Sequence, residues 1–231
     1  MPCLGTSIMK QFFYTFCCIL FFASCKTKAK EIIIANSDSV KLAQLDTAKF
    51  NKSEYTSELN ELNHIKSLSS KLGLYNLVKQ TDGYELRLWL FHSMMEPGLL
   101  YILKGKDSTA TIFHYQIYCS HSINADYLNP NIDSAKMETL KPHHESWSKY
   151  FQELQLDSLF YLKTQSEIKD KSFGMLDGYA YTLEINDSGK YKYLRYSAPE
   201  YFQEKDINHK KFIKFKEKLV NPLIYNGMIN P

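Results

Sequence analysis

The stretch from Asp177 to Tyr196 leaves this chain little choice of fold. Tyr179, Tyr181, Leu183 and Ile185 recur at every second position, Asn186-Asp187-Ser188-Gly189 reads as a turn, and residues 190–196 return. Apolar residues at period two mark a half-buried strand, and a Gly late in the turn supplies the left-handed backbone that closes a hairpin. The same alternation appears upstream. Tyr84, Leu86, Leu88 and Leu90 share one side of a predicted strand, while Glu85, Arg87 and Trp89 share the other. Residues 99–104 and 109–119 follow, joined through Lys104-Gly105-Lys106-Asp107-Ser108, and the three runs predict the centre of a meander. Residues 94–98 read as the connection between the first two, with Pro97-Gly98 as its turn.

Helical periodicity fills most of the remainder. Ser53 can cap a helix running to about Leu72, with Tyr55, Leu59, Leu62 and Ile65 on one face, Glu54, Glu58 and Glu61 on the outer face, and Gly73 at its end. Residues 120–144 read as a loop region around Asn129-Pro130-Asn131, with a short helix from Asp133. Trp147, Tyr150, Phe151 and Leu154 follow at i, i+3, i+4 and i+7, an apolar helix stripe. A last helix, about 204–219, sets Phe212, Phe215 and Leu219 against Lys210, Lys211, Lys214 and Lys218. The expectation is an α+β domain over residues 51–231, with an antiparallel sheet of five or more strands flanked by about three helices.

The first residues are of another kind. Lys10 precedes an apolar run, Phe12 to Phe22, and the small pair Ala23-Ser24 leads to Cys25. A charged residue, a short apolar core and small residues before a cut are the three parts of a secretory signal, and the run is too short to span a bilayer. Phe22-Ala23-Ser24-Cys25 resembles the lipobox of bacterial lipoproteins, with Phe22 where that family usually carries Leu. The resemblance implies that residues 1–24 are a leader and that the Cys25 thiol carries a diacylglycerol. It also implies an acylated amine on Cys25, and acyl chains that hold the protein to a membrane. Residues 25–50 would then be lipidated Cys and tether, with Ile32-Ile33-Ile34 as a first short strand. Lys26 after the lipid-bearing Cys leans toward the outer membrane of a Gram-negative cell envelope. The rest is generally similar to uncharacterised Gram-negative lipoproteins, a likeness that carries no activity.

Composition narrows the partners. The net charge of +3 falls by one when the leader and its Lys10 are removed, and only Arg87 and Arg195 are arginines among 28 basic residues. That balance gives no reason to expect nucleic acid, which favours the Arg fork. Of five cysteines, three lie in the leader and Cys25 is the lipid site, so Cys119 is left alone and reads as a small core hydrophobe. Stability must come from packing without disulfides.

Residues with chemistry are few. His92 with Glu96, His114 with His121, and His143-His144-Glu145 are the clusters with ligand chemistry, and none has the compact spacing of a zinc motif. His114 and His121 are an odd number apart on a strand and face opposite sides. No metal and no cofactor is expected. Tyr191, Tyr193 and Arg195, with Tyr179 and Tyr181 on the neighbouring strand, form a candidate aromatic platform for sugars or peptides. Cross-strand packing is the plainer reading. Lys210, Lys211, Lys214 and Lys218 form a candidate membrane contact, since a basic amphipathic helix can lie on anionic lipid. A solvated helix face is the plainer reading there. The functional expectation is a lipid-anchored envelope protein that binds or scaffolds an envelope protein or glycan without catalysis. The alternative is a periplasm-facing hydrolase using His or carboxylate groups.

Overall fold

The computed structural model describes residues 52–92, 95–106, 108–119, 130–142, 146–168 and 179–224, all within one compact unit. The leader, Cys25, residues 26–34, His121, His143, His144 and Glu145 lie outside the described residues.

The alternating segments become strands and the periodic ones helices. In chain order these are α1 (Lys52–Lys71), β1 (Tyr84–His92), β2 (Met95–Lys104), β3 (Thr111–Cys119), β4 (Ile132–Pro142), α2 (Trp147–Leu154), β5 (Tyr179–Asp187), β6 (Lys190–Ser197), α3 (Ile207–Val220) and the short β7 (Leu223–Ile224). The strands form one antiparallel sheet in the order β6-β5-β1-β2-β3-β4-β7, so the fold is α+β. The β1-β2-β3-β4 meander is its spine, and the β5-β6 hairpin adds to it along the whole length of β1.

Local chemistry accounts for the joints. The β5-β6 loop is Ser188-Gly189, both at positive φ (51° and 90°), the two-residue geometry whose twist matches that of the sheet. Helix α1 stops at Gly73 (φ 70°). The N–H of Leu74 donates to Ser69 O at 2.8 Å and that of Gly73 to Ser70 O at 3.1 Å, satisfying two orphan carbonyls. Ser146 caps α2 by accepting from the Lys149 N–H, and Asp206 caps α3 by accepting from the N–H groups of Asn208 and His209.

Both faces of the sheet are covered. On one, Leu86, Leu88, Leu183, Ile185 and Leu194 pack with Tyr150 and Leu154 of α2 and Phe212, Phe215 and Leu219 of α3. The Tyr150 hydroxyl donates to Leu219 O at 2.9 Å and ties the two helices together. On the other, Leu62, Ile65 and Leu68 of α1 close over Trp89, Leu100, Ile102 and Ile117. Cys119 is partly buried against this second cluster.

Three expectations are corrected. Residues 132–142 are a strand where a loop and a short helix are expected. Seven of the eleven β4 side chains are exposed and only Leu140 is buried, so no alternation betrays it, and its backbone is held by β3 from Ile112↔Leu140 to Cys119↔Ile132. Strand β2 begins at Met95, so Pro97-Gly98 lies inside it. The register slips between Leu90↔Leu99 and His92↔Met95, and the two residues sit in that bulge. Glu58 and Glu61 are buried rather than on the outer face of α1. At 3.6 residues per turn Glu58 lies one heptad from Ile65, on the same stripe, and polar partners across the gap satisfy it.

Candidate functional site

The sheet face under α1 carries charge as well as apolar surface. Glu85 and Arg87, two apart on β1, share that face, each with only 1% of its side chain exposed. The Arg87 Nε–H donates to Glu85 Oε1 at 2.7 Å and its Nη2 to Tyr75 O at 3.0 Å. The Tyr75 hydroxyl donates to Glu85, and its ring lies 5.1 Å from the guanidinium carbon. Across the ladder from Arg87 stands Glu184, which accepts from Trp89 Nε1 (3.2 Å) and the Tyr191 hydroxyl (3.0 Å). Burial pushes the Glu184 carboxyl up, against the pull of Arg87 and these donors.

Glu58 extends the network from the helix. Its carboxylate accepts from Thr164 Oγ1 (2.8 Å), Ser166 N (2.8 Å) and Ser166 Oγ (2.7 Å), and the Tyr193 hydroxyl donates to its backbone carbonyl at 3.2 Å. Thr164 Oγ1 also accepts from the Arg195 N–H at 2.9 Å, and Gln165 Oε1 from the Ser197 N–H at 2.6 Å. The segment after α2 thus covers part of the outer edge of β6, the end strand of the sheet, and Glu58 holds that segment. Burial raises the Glu58 carboxyl above its ordinary range, opposed by the Ser166 and Thr164 hydrogen bonds and by Arg195. Both arginines of the chain therefore serve this interior.

The tyrosine platform is split by the register. Tyr181 pairs with Tyr196 and Ala180 with Ser197, so Tyr179 and Tyr181 face the α3 side. Tyr191, Tyr193 and Arg195 lie opposite Asn186, Glu184 and Thr182 and face the α1 side. Tyr181 donates to Glu200 at 2.6 Å, beside Lys216, and only Tyr179 of the pair is exposed. Tyr191 and Tyr193 are half-buried in the network just described.

The described histidines do not converge. His114 lies buried on β3, its Nδ1 2.8 Å from Glu138 Oε1 and its ring stacked on Tyr101 at 4.7 Å. His64 meets the Phe91 ring edge-on, and His209 lies 3.0 Å from Asp206 Oδ1. His92 and Glu96 belong to neighbouring strands joined at His92↔Met95. Among the described residues, no group of three His, Cys, Asp or Glu side chains is placed to hold a metal ion, and no helix is long and apolar enough to cross a membrane. Of the lysine stripe, Lys211, Lys214 and Lys218 are exposed on α3; Lys218 donates to Glu153 O at 2.9 Å, and Lys210 pairs with Glu204 at 3.7 Å.

The concavity that sequence reading missed is on the other side of the sheet. The β2-β3 turn, the end of β4 and the start of α2 enclose an open cleft of about 930 Å³. Trp147 and Phe151 form its aromatic wall, with ring planes 18° apart and centroids 5.5 Å apart. Ser108, Thr111, Thr139, Ser146 and Ser148 line it with hydroxyls, and Lys106 and Lys141 supply its charge. Lys106 is held by Asp187 at 2.6 Å and lies 4.7 Å from the centre of the Tyr84 ring. Trp147 and Phe151 are legible in sequence as a helix stripe, but their meeting with the β2-β3 turn depends on strand order. No family model, curated protein or solved structure matches this chain.

Proposed function

We propose that this chain is a lipid-anchored envelope protein, held through Cys25 and leaning toward the outer membrane, that binds an envelope component in the Trp147 cleft without chemically changing it. One observation carries the reading: the cleft offers an aromatic wall, hydroxyls and lysines, and among the described residues its lining contains no carboxylate, histidine or cysteine. The described lining can stack and hydrogen-bond a ligand and holds none of the usual groups for general acid–base work near neutral pH. The buried carboxylates of Glu58, Glu85 and Glu184 lie on the opposite side of the sheet and are engaged by internal donors. The described histidines are spread over α1, β1, β3 and α3, which also favours binding over hydrolysis.

Two measurements test it. Cys25→Ala should move the protein from the membrane to the soluble fraction and abolish lipid labelling; continued tight attachment contradicts the anchor. For the cleft, the indole resonances of the two tryptophans separate the alternatives, because Trp89 is fully buried and Trp147 lines the opening. Adding detergent-solubilised envelope should shift the Trp147 signal and leave that of Trp89 in place. An unmoved Trp147 contradicts binding there.

A further inference from the structure

The chemistry of the cleft wall narrows its ligand, given the reading that this cleft is the binding site. Trp147 and Phe151, both half-buried and stacked with nearly parallel planes, present an aromatic face to the cleft. Such a surface suits the C–H face of a pyranose ring, which is flat and apolar while its rim is polar. Hydroxyl side chains surround it, and a hydroxyl both donates and accepts, matching sugar hydroxyls, which do the same. Ser146 shows how this works: its oxygen accepts from the Lys149 N–H at 3.3 Å, and its own O–H is left to donate.

Charge supplies the second constraint. Lys106 is compensated by Asp187 at 2.6 Å and Asp157 at 3.5 Å, so it adds little net field. Lys141 is exposed on β4, and among the described residues it has no acidic partner and no acid lines the cleft. An exposed cation beside an aromatic wall, with no described acid to pair it, suits one anionic group on the ligand. A peptide strand is disfavoured because the backbone edge of β4 at this point is already occupied, with Lys141 paired to Ile224 and Pro142 to Leu223. We therefore propose that the cleft binds an acidic carbohydrate, with one sugar ring on Trp147 and the carboxylate of the same or the next residue on Lys141.

The test titrates the full chain, in detergent, with sugar oligomers and follows Trp147 fluorescence. Hyaluronan and oligogalacturonate oligomers are the acidic probes, and chitohexaose and maltohexaose the neutral ones. The acidic probes should perturb the emission and bind tighter than the neutral ones. Lys141→Gln should weaken the acidic probes by about fivefold and leave the neutral ones unchanged. Trp147→Phe, which keeps an aromatic ring and the fold, should weaken acidic binding, followed by calorimetry, by about threefold. Equal affinity for acidic and neutral probes, or no effect of Lys141→Gln, overturns the charge assignment. If no sugar binds but a peptide library shifts Trp147, the carbohydrate assignment falls and the cleft survives. If neither sugars, peptides nor solubilised envelope moves Trp147, the cleft reading itself fails.

Discussion

The two faces of the sheet are buried to similar depth by different means. Toward α2 and α3 the strands present Leu86, Leu88, Leu183, Ile185 and Leu194, an apolar surface whose stability scales with area and fit. Toward α1 the same strands present Glu85, Arg87, Glu184 and Thr182, where each charge must meet its partner. The first face tolerates exchange of shape for shape. The second is a set of matched donors and acceptors, so removing one member leaves another unpaired in the interior. The open cleft adjoins the first face, and the buried Glu85-Arg87-Glu184 network lies on the other face from it.

The contrast can be broken most severely at Arg87. Arg87→Ala leaves Glu85 buried without its guanidinium and should cost about 3–5 kcal/mol in urea unfolding. Adding Glu85→Gln, with Met in place of Ala at position 87, should recover much of that loss. If the double variant is no better than the single one, the pair is not the matched unit described.

On the apolar face, Leu183→Ala should cost about 3 kcal/mol through cavity formation, while Leu183→Met stays under about 1.5 kcal/mol. A conservative swap that proved as damaging as the truncation would erase the distinction between the faces.

Glu58 sharpens it further. Glu58→Ala strands the Ser166 N–H and two hydroxyls and should cost about 2–3 kcal/mol. Glu58→Gln can keep all three contacts, because Oε1 still accepts from Ser166 N and Thr164 Oγ1, and Nε2 can donate to Ser166 Oγ. The pH dependence follows from the raised carboxyl. A folded value above the unfolded one means that the folded state binds the proton more tightly. The wild type is therefore most favoured relative to Glu58→Gln below the ordinary value of 4.5 and loses ground as pH rises through the folded value. Unfolding of both proteins from pH 4 to pH 8 checks the sign; a wild type that gained on the Gln variant with rising pH would contradict it.

The smallest effect belongs to the lysine stripe. Changing Lys210, Lys211, Lys214 and Lys218 to Gln should move stability by less than about 0.5 kcal/mol, because three of them face solvent and the fourth makes only a long ion pair. In the Cys25→Ala chain, weakened binding to anionic vesicles would make the stripe a second membrane contact. Unchanged binding leaves it a solvated face.

What could be read beforehand follows the same division. Strands β1, β3, β5 and β6 and helices α2 and α3 announce themselves because their apolar residues keep period. Strand β4 does not, since pairing with β3 rather than burial makes it a strand, and Leu140 is its one fully buried side chain. Glu58 was misplaced because its charge suggested solvent, although its spacing from Ile65 put it on the buried stripe. The split of the tyrosines was legible in principle. A two-residue loop sets odd positions of β5 opposite even positions of β6, so Tyr179 and Tyr181 cannot share a face with Tyr191 and Tyr193. The cleft was not legible, because its three walls come from segments that only the strand order brings together.

The central claim is that ligand contact occurs at the cleft and not at the polar face. It is tested most directly by placing a photo-crosslinking residue at Ser148, which lines the cleft, or at Tyr191, half-buried in the polar network, and irradiating the native envelope. An adduct from position 148 that is lost on adding Trp147→Ala, with none from position 191, is the predicted result. An adduct from position 191 with none from 148 would contradict it.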